Sequence, residues 1–130
     1  MSCNKPAFYK SDSCETIIEV ICSKETPNLT CCDKPLKEMT ANTSEGAAEK
    51  HLPVIEQSGN EITVKVGSVL HPMTEEHSID WVYLETQKGS QRVHLHGTQE
   101  PVARFAIATG DTPIAVYAYC NLHGFWKTEF

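Results

Sequence analysis

At 130 residues, with 40% hydrophobic and 22% charged side chains, the chain has the composition of an ordinary globular protein, which excludes disorder and collagen-like structure. Eleven Lys and Arg against 17 Asp and Glu give a formal net charge of -6 and a pI near 5.4. That balance argues against a nucleic-acid partner, which requires a basic face to neutralise phosphates.

No apolar run approaches the roughly 20 residues that cross a bilayer, and Met1-Ser2-Cys3-Asn4-Lys5-Pro6 lacks the apolar stretch of a secretory signal. The expectation is a cytoplasmic protein with no membrane contact. The matches to the glycosylation pattern at Asn28 and Asn42 are then coincidental. Cys3, Cys14, Cys22, Cys31, Cys32 and Cys120 are read as free thiols or metal ligands, because a reducing compartment disfavours disulfides.

Along the chain, the organisation splits near residue 40. Residues 1–39 hold five of the six cysteines and one convincing strand, Thr16 to Cys22, marked by Ile17, Ile18, Val20 and Ile21. Thr40 to Lys50 is small and polar, a linker or surface loop with room for one helical turn capped by Ser44. Residues 40–130 form the second unit. Leu52 to Glu56 and Ile62 to Val66 flank Ser58-Gly59-Asn60 and read as a hairpin.

Ile79 to Thr86 alternates, with Ile79, Trp81 and Tyr83 assigned to one face, and returns through Lys88-Gly89-Ser90 as Arg92 to Leu95. Val102 to Ala108 and Pro113 to Cys120 pair around Thr109-Gly110-Asp111. Six or seven strands at this spacing, with no convincing helix, imply an all-β fold: an antiparallel sandwich of immunoglobulin-like type.

The chemistry-bearing residues cluster at strand ends. Ile114, Val116, Ala118 and Cys120 share parity, so Cys120 continues an inward row just before Asn121-Leu122-His123-Gly124. The Cys-x-x-His spacing suits two ligands on one ion, and His71 and His77 bracket a polar loop that can fold both rings back to one point. With His51 this makes four imidazoles and a thiolate, more than a closed tetrahedral site needs. A six-coordinate ion would keep one position open for a substrate. A structural zinc site, a blue-copper electron carrier and a plain binding module are the rival readings; the copper reading lacks a methionine beyond the final histidine.

Four segments carry a family resemblance: Glu49-Lys50-His51-x-Pro53-Val54-Ile55, Val64-Lys65-Val66-Gly67-Ser68-Val69-x-His71-Pro72-Met73, Glu76-His77-x-Ile79-x-Trp81, and Cys120-Asn121-x-His123-Gly124-x-Trp126. Residues 40–130 resemble the superoxide reductases of the desulfoferrodoxin and neelaredoxin family. The resemblance implies one Fe(2+)/Fe(3+) per chain, with His51, His71, His77 and His123 equatorial and Cys120 axial. It also implies Glu49 as sixth ligand of the ferric state, and Lys50 as the cation that draws in superoxide. Reduction of superoxide to hydrogen peroxide, re-reduction by a donor such as rubredoxin, and a homodimer follow from the same likeness; the alternative is a non-catalytic metal-binding or electron-transfer β-sandwich.

Residues 1–39 resemble the desulforedoxin module of two-iron members, with Cys14, Cys31 and Cys32 as a degenerate second site. Ser11 stands where its first cysteine belongs, so a second iron or zinc is not expected there. Cys3 and Cys22 are read as ordinary small buried residues. His94 and His96 are read as exposed strand histidines, and Trp81 and Trp126 as core aromatics near the metal.

Overall fold

The computed structural model describes residues 5–97 and 99–130. The chain divides into two compact units, Met1–Thr40 and Ala41–Phe130.

In the first unit, β1 (Ala7–Lys10) pairs antiparallel with β2 (Ile17–Val20) on one side and β5 (Lys37–Glu38) on the other. Two further short strands, β3 (Thr30–Cys31) and β4 (Lys34–Pro35), form a hairpin. The sequence offered a single strand here, because two-residue strands carry no periodicity to detect. β2 also stops at Val20, so Cys22 lies beyond the strand and is exposed rather than buried. Cys22 is disulfide-bonded, which corrects its reading as a free, buried thiol. Cys3 lies outside the described residues.

The second unit is built from two antiparallel sheets. One holds β6 (Pro53–Ser58), β7 (Glu61–Val66) and β10 (Val102–Ala106) in the order β10-β7-β6. The other holds β8 (Ile79–Thr86), β9 (Ser90–His94), β11 (Pro113–Cys120) and β12 (Gly124–Glu129) in the order β12-β11-β8-β9. The turn between β6 and β7 uses Gly59 at φ +59, the left-handed first position that a two-residue hairpin turn of type II′ demands. Ile62, Val64 and Val66 of β7, Ala103 and Phe105 of β10, Val82 and Leu84 of β8, and Val116 and Ala118 of β11 make one hydrophobic core. That is the sandwich expected from alternation, with one correction: β10 pairs with β7 and β11 with β8 and β12, so the chain crosses between sheets at Thr109-Gly110-Asp111 instead of forming a hairpin there. β12 escaped notice because Gly124 opens it and charged residues close it.

The other face of the four-stranded sheet is also buried, with Trp81 stacked on Tyr119 and Tyr117 on Phe125. β8 therefore does not keep Ile79 with Trp81 and Tyr83. Its pairing with β11 skips one residue between Tyr119↔Trp81 and Cys120↔Ile79, and this bulge turns Ile79 into the core beside Cys120. A second shift in register at Ile114 leaves that residue partly exposed instead of in the inward row.

The helical turn is α1 (Ala48–His51), capped by the Ala47 backbone with no side-chain hydrogen bond, so Ser44 is not its cap. No helix among the described residues is long and apolar enough to cross a membrane.

Candidate metal centre

Three local devices aim five side chains at one point. His51 closes α1, whose Glu49 carbonyl accepts hydrogen bonds from the Val69 N–H at 3.0 Å and the Ser68 hydroxyl at 3.2 Å. The backbone around Glu49 and Lys50 thus lies directly against the turn that follows β7. Gly67, at φ +97, makes this approach feasible: a Cβ there would stand 2.3 Å from the Glu49 oxygen and 2.6 Å from the Lys50 backbone. Gly67→Ala must displace that turn, and its expected cost is about 1–3 kcal/mol. Lower metal occupancy and a depressed melting temperature together are the signature; an unchanged variant would show that the turn is free to move.

His71 and His77 flank a loop closed on itself, with the Thr74 N–H donating to the His77 carbonyl at 2.9 Å and the His77 N–H to the Thr74 hydroxyl at 3.0 Å. Asn121 ties that loop to the far end of β11. Its carboxamide accepts the Ser78 N–H and donates to the Glu76 carbonyl, each at 3.0 Å. The turn after Cys120 then brings His123 back, with the His123 N–H directed at the Cys120 sulfur at 3.4 Å.

The four rings form a square. Around its edge the centroids of His51, His71, His77 and His123 are separated by 4.7, 4.5, 5.0 and 4.8 Å, and His51 and His77 lie 6.4 Å apart across a diagonal. His51 Nδ1 is hydrogen-bonded to the Ala47 carbonyl at 2.8 Å and His71 Nδ1 to the Pro72 carbonyl at 2.6 Å. Each therefore carries its proton outward and turns the Nε2 lone pair inward, as metal-binding imidazoles do. The inner nitrogens crowd together, His51 Nε2 lying 3.1 Å from His123 Nδ1 and 3.2 Å from His71 Nε2. His77 Nε2 is buried with no hydrogen-bond partner. A cation satisfies all of these lone pairs at once.

Cys120 approaches from the core. It is completely buried, with its sulfur 3.3 Å from His71 Nε2 and 3.9 Å from His123 Nδ1. The five donor atoms lie within 4.8 Å of one another. Four nitrogens in a square and one sulfur on the core side suit a six-coordinate ion whose remaining position lies away from the core. They do not suit a closed zinc tetrahedron, which would leave one donor idle.

Burial pushes the His51, His71 and His77 imidazoles toward the neutral, ligating form. His71 is brought down to about 4, and His51 and His77 are lowered as well, all chiefly by desolvation. Burial raises the Cys120 thiol, opposed by hydrogen bonds from the His123 and Leu122 backbone, so a bound cation is what favours its thiolate. Since the folded chain resists protonating these histidines and the unfolded chain does not, unfolding takes up protons between about pH 4 and the ordinary histidine value of 6.5. The metal-free protein should therefore lose stability as pH falls through that window and show no such loss above it. Melting curves of the apoprotein check this, and a melting temperature flat from pH 7 to 4 is the contrary result.

The sequence singled out these five residues; it did not single out Gly67, Asn121 or Gly46. Gly46, at φ +143, passes so close to the site that a Cβ would lie 3.0 Å from His51 Cε1 and 3.2 Å from His123 Cγ. Such approaches leave no trace in periodicity. Trp126 stacks on His51 at 4.9 Å and donates to the His123 carbonyl, as a metal-adjacent aromatic should, whereas Trp81 belongs to the aromatic layer with Tyr119. His94 and His96 are exposed and lie outside the cluster. Glu49 and Lys50 are exposed on α1, and the Lys50 charge contributes to lowering both His51 and His77.

Cys14, Cys31 and Cys32 also come together, their sulfurs within 4.8 Å. The fourth corner belongs to Ser11, which is 1% exposed; its hydroxyl accepts the Ser13 and Cys14 N–H groups at 3.3 Å and lies 3.2 Å from the Cys14 sulfur. The loop keeps the shape of a Cys-x-x-Cys turn but presents an alcohol, so the donor set does not fit a four-thiolate iron.

Fold and site together define a β-sandwich metalloprotein with a four-imidazole, one-thiolate centre. The desulfoferrodoxin family model matches residues 43–129, and the chain belongs to that family. A desulfoferrodoxin from Syntrophotalea carbinolica is 45% identical over 125 residues, covering 96% of this chain and 97% of that one. A superoxide reductase from Pyrococcus horikoshii is 32% identical over 111 residues, covering 72% of this chain and 96% of that one. The crystal structure of the superoxide reductase from Treponema pallidum superposes with a TM-score of 0.83 at 36% identity, covering 95% of this chain and 98% of that one.

Proposed function

We propose that the chain is a superoxide reductase, which adds one electron and two protons to superoxide and releases hydrogen peroxide. The observation that carries this reading is the square of inward-facing imidazole nitrogens backed by the buried Cys120 sulfur. The relatives and solved structures named for this activity support it. His51, His71, His77, His123 and Cys120 would hold iron, whose Fe(II)/Fe(III) couple would supply the electron.

The remaining work falls to the protein. Desolvation keeps the His51, His71 and His77 rings neutral, so their lone pairs stay available at physiological pH. The N–H groups of His123 and Leu122 point at the Cys120 sulfur and hold its negative charge on the core side. Superoxide is an anion approaching a protein of net charge -6, so a local positive focus is required. Lys50, next in sequence to His51 and electrostatically felt at His51 and His77, supplies it. Glu49 is the carboxylate that would serve as a further ligand to the iron, and protons come from water. An external one-electron donor such as rubredoxin would resupply the electron, and the enzyme works as a cytoplasmic homodimer.

Metal analysis with a visible spectrum of the air-oxidised protein tests the reading. One iron per chain and a blue thiolate-to-ferric absorption that bleaches with reductant are expected. A colourless protein carrying zinc would refute it.

A further inference from the structure

The first unit contains reactive-looking chemistry that the metal centre does not use. Two turns converge on it. Ser11 to Cys14 curls so that Ser11 accepts two backbone N–H groups, with Glu15 following at φ +53. Opposite, the β3–β4 hairpin turns through Cys32 and Asp33, both in the left-handed region at φ +51 and +62. Neither is a glycine, so the tight turn that sets Cys31 and Cys32 side by side is held at an energetic cost, a pattern that concentrates at functional sites. Three thiols thus sit within 4.8 Å of one another around a hydroxyl that spoils the site for four-thiolate iron.

We infer that Cys14 and Cys31 form a peroxide-reactive dithiol, in which Cys14 attacks hydrogen peroxide and Cys31 resolves the product into a disulfide. Cys14 is the exposed member, and its sulfur is hydrogen-bonded to the Ser11 and Thr16 hydroxyls, each at 3.2 Å. The Cys14 thiol donates to the Ser11 hydroxyl, and the Thr16 hydroxyl can donate to a Cys14 thiolate, the form that reacts. Consistent with that environment, Cys14 is brought down to about 6 by its contacts with Cys31, Ser11 and Thr16, while Cys31 is raised by the same contact with Cys14. Cys31 is half-buried and also reaches the Thr16 hydroxyl, at 3.9 Å, so Thr16 bridges the two sulfurs. Cys32 is a poorer resolving partner for its neighbour, because adjacent residues make a strained ring, and the Cys31–Cys32 sulfurs lie 4.0 Å apart.

The electrons balance without a further oxidant. The Cys14 thiolate attacks one peroxide oxygen, the O–O bond breaks, and hydroxide leaves, giving Cys14 sulfenic acid. The Cys31 sulfur then attacks the Cys14 sulfur; the S–O bond breaks, water departs, and an S–S bond of roughly 2.05 Å forms. Two thiols have lost two electrons, and one peroxide has become two waters. A cellular dithiol reductant reverses the disulfide by exchange. That the peroxide is the enzyme's own product rests on the function proposed above; the thiol chemistry does not, and reagent peroxide tests it separately.

The experiment uses the iron-loaded, oxidised holoprotein with its thiols reduced, given one equivalent of hydrogen peroxide, then alkylated and mapped by mass spectrometry. Loss of two alkylatable thiols per peroxide and a Cys14–Cys31 crosslink are expected. Cys14→Ser should slow thiol loss about tenfold or more, leaving the ferric absorption of the metal centre unchanged. Cys31→Ser should leave Cys14 as a sulfenic acid that a cyclic diketone labels. Intact Cys14 after treatment, a crosslink joining other cysteines instead, or a metal ion found on the three thiols of the purified protein would each overturn the inference.

Discussion

Cys120→Ser will fold and yet lose both the thiolate-to-ferric colour and the activity, with the rate falling by well over the 10- to 100-fold typical of removing an outer partner of a metal ligand. Cys120 is wholly buried among Ile79, Val116 and Ala118, at the point where β11 runs into its turn. A serine there is slightly smaller and carries a hydroxyl into the core, at a cost of about 1–3 kcal/mol. The His123 N–H, already aimed at this position at 3.4 Å, offers that oxygen a partner and limits the damage. What the alcohol lacks is the easily ionised, polarisable sulfur that pushes electron density toward the metal. Circular dichroism and thermal melting should report a native sandwich while rapid mixing with superoxide reports no turnover. A coloured, active variant would mean that the Cys120 sulfur is not the thiolate the metal requires.

Replacing Lys50 by isoleucine should lower the second-order rate with superoxide by about tenfold, within the range that electrostatic focusing supplies. The remaining rate should depend less on salt. The two effects belong together because one cause produces both: a positive charge close to the open position, screened over a Debye length of about 8 Å at physiological ionic strength. A purely structural role for Lys50 would change metal content or stability and leave the slope against ionic strength intact. Its side chain is exposed, and among the described residues it forms no ion pair, so removing it is not expected to unfold α1. Rate constants across a salt series, measured for both proteins, separate the cases, and parallel slopes would contradict the role given to Lys50.

Much of the centre was legible because its chemistry is concentrated in rare residues. Four of the six histidines and one cysteine at strand ends are hard to explain as packing, and alternation in β7 and β11 was strong enough to place Cys120 inward. What stayed hidden depended on one-residue irregularities. The bulge in β8 separates Ile79 from Trp81, and no pattern of apolar residues announces a skipped hydrogen-bond pair. Likewise Gly67 and Gly46 look like loop glycines until the backbone of Lys50 and the rings of His51 and His123 are seen against them. In residues 5–40 the strands are two to four residues long, below the length at which alternation speaks. The disulfide at Cys22 ran against an argument from compartment, which weighs cysteines as a group and cannot place any one of them.

Product stoichiometry on mixing the reduced, iron-loaded protein with superoxide bears most directly on the account as a whole. Pulse radiolysis should show one hydrogen peroxide formed for each superoxide consumed, one iron oxidised in step, and no dioxygen released. One peroxide for every two superoxides, with dioxygen evolved, would identify a dismutase and contradict the reductase assigned to these five ligands.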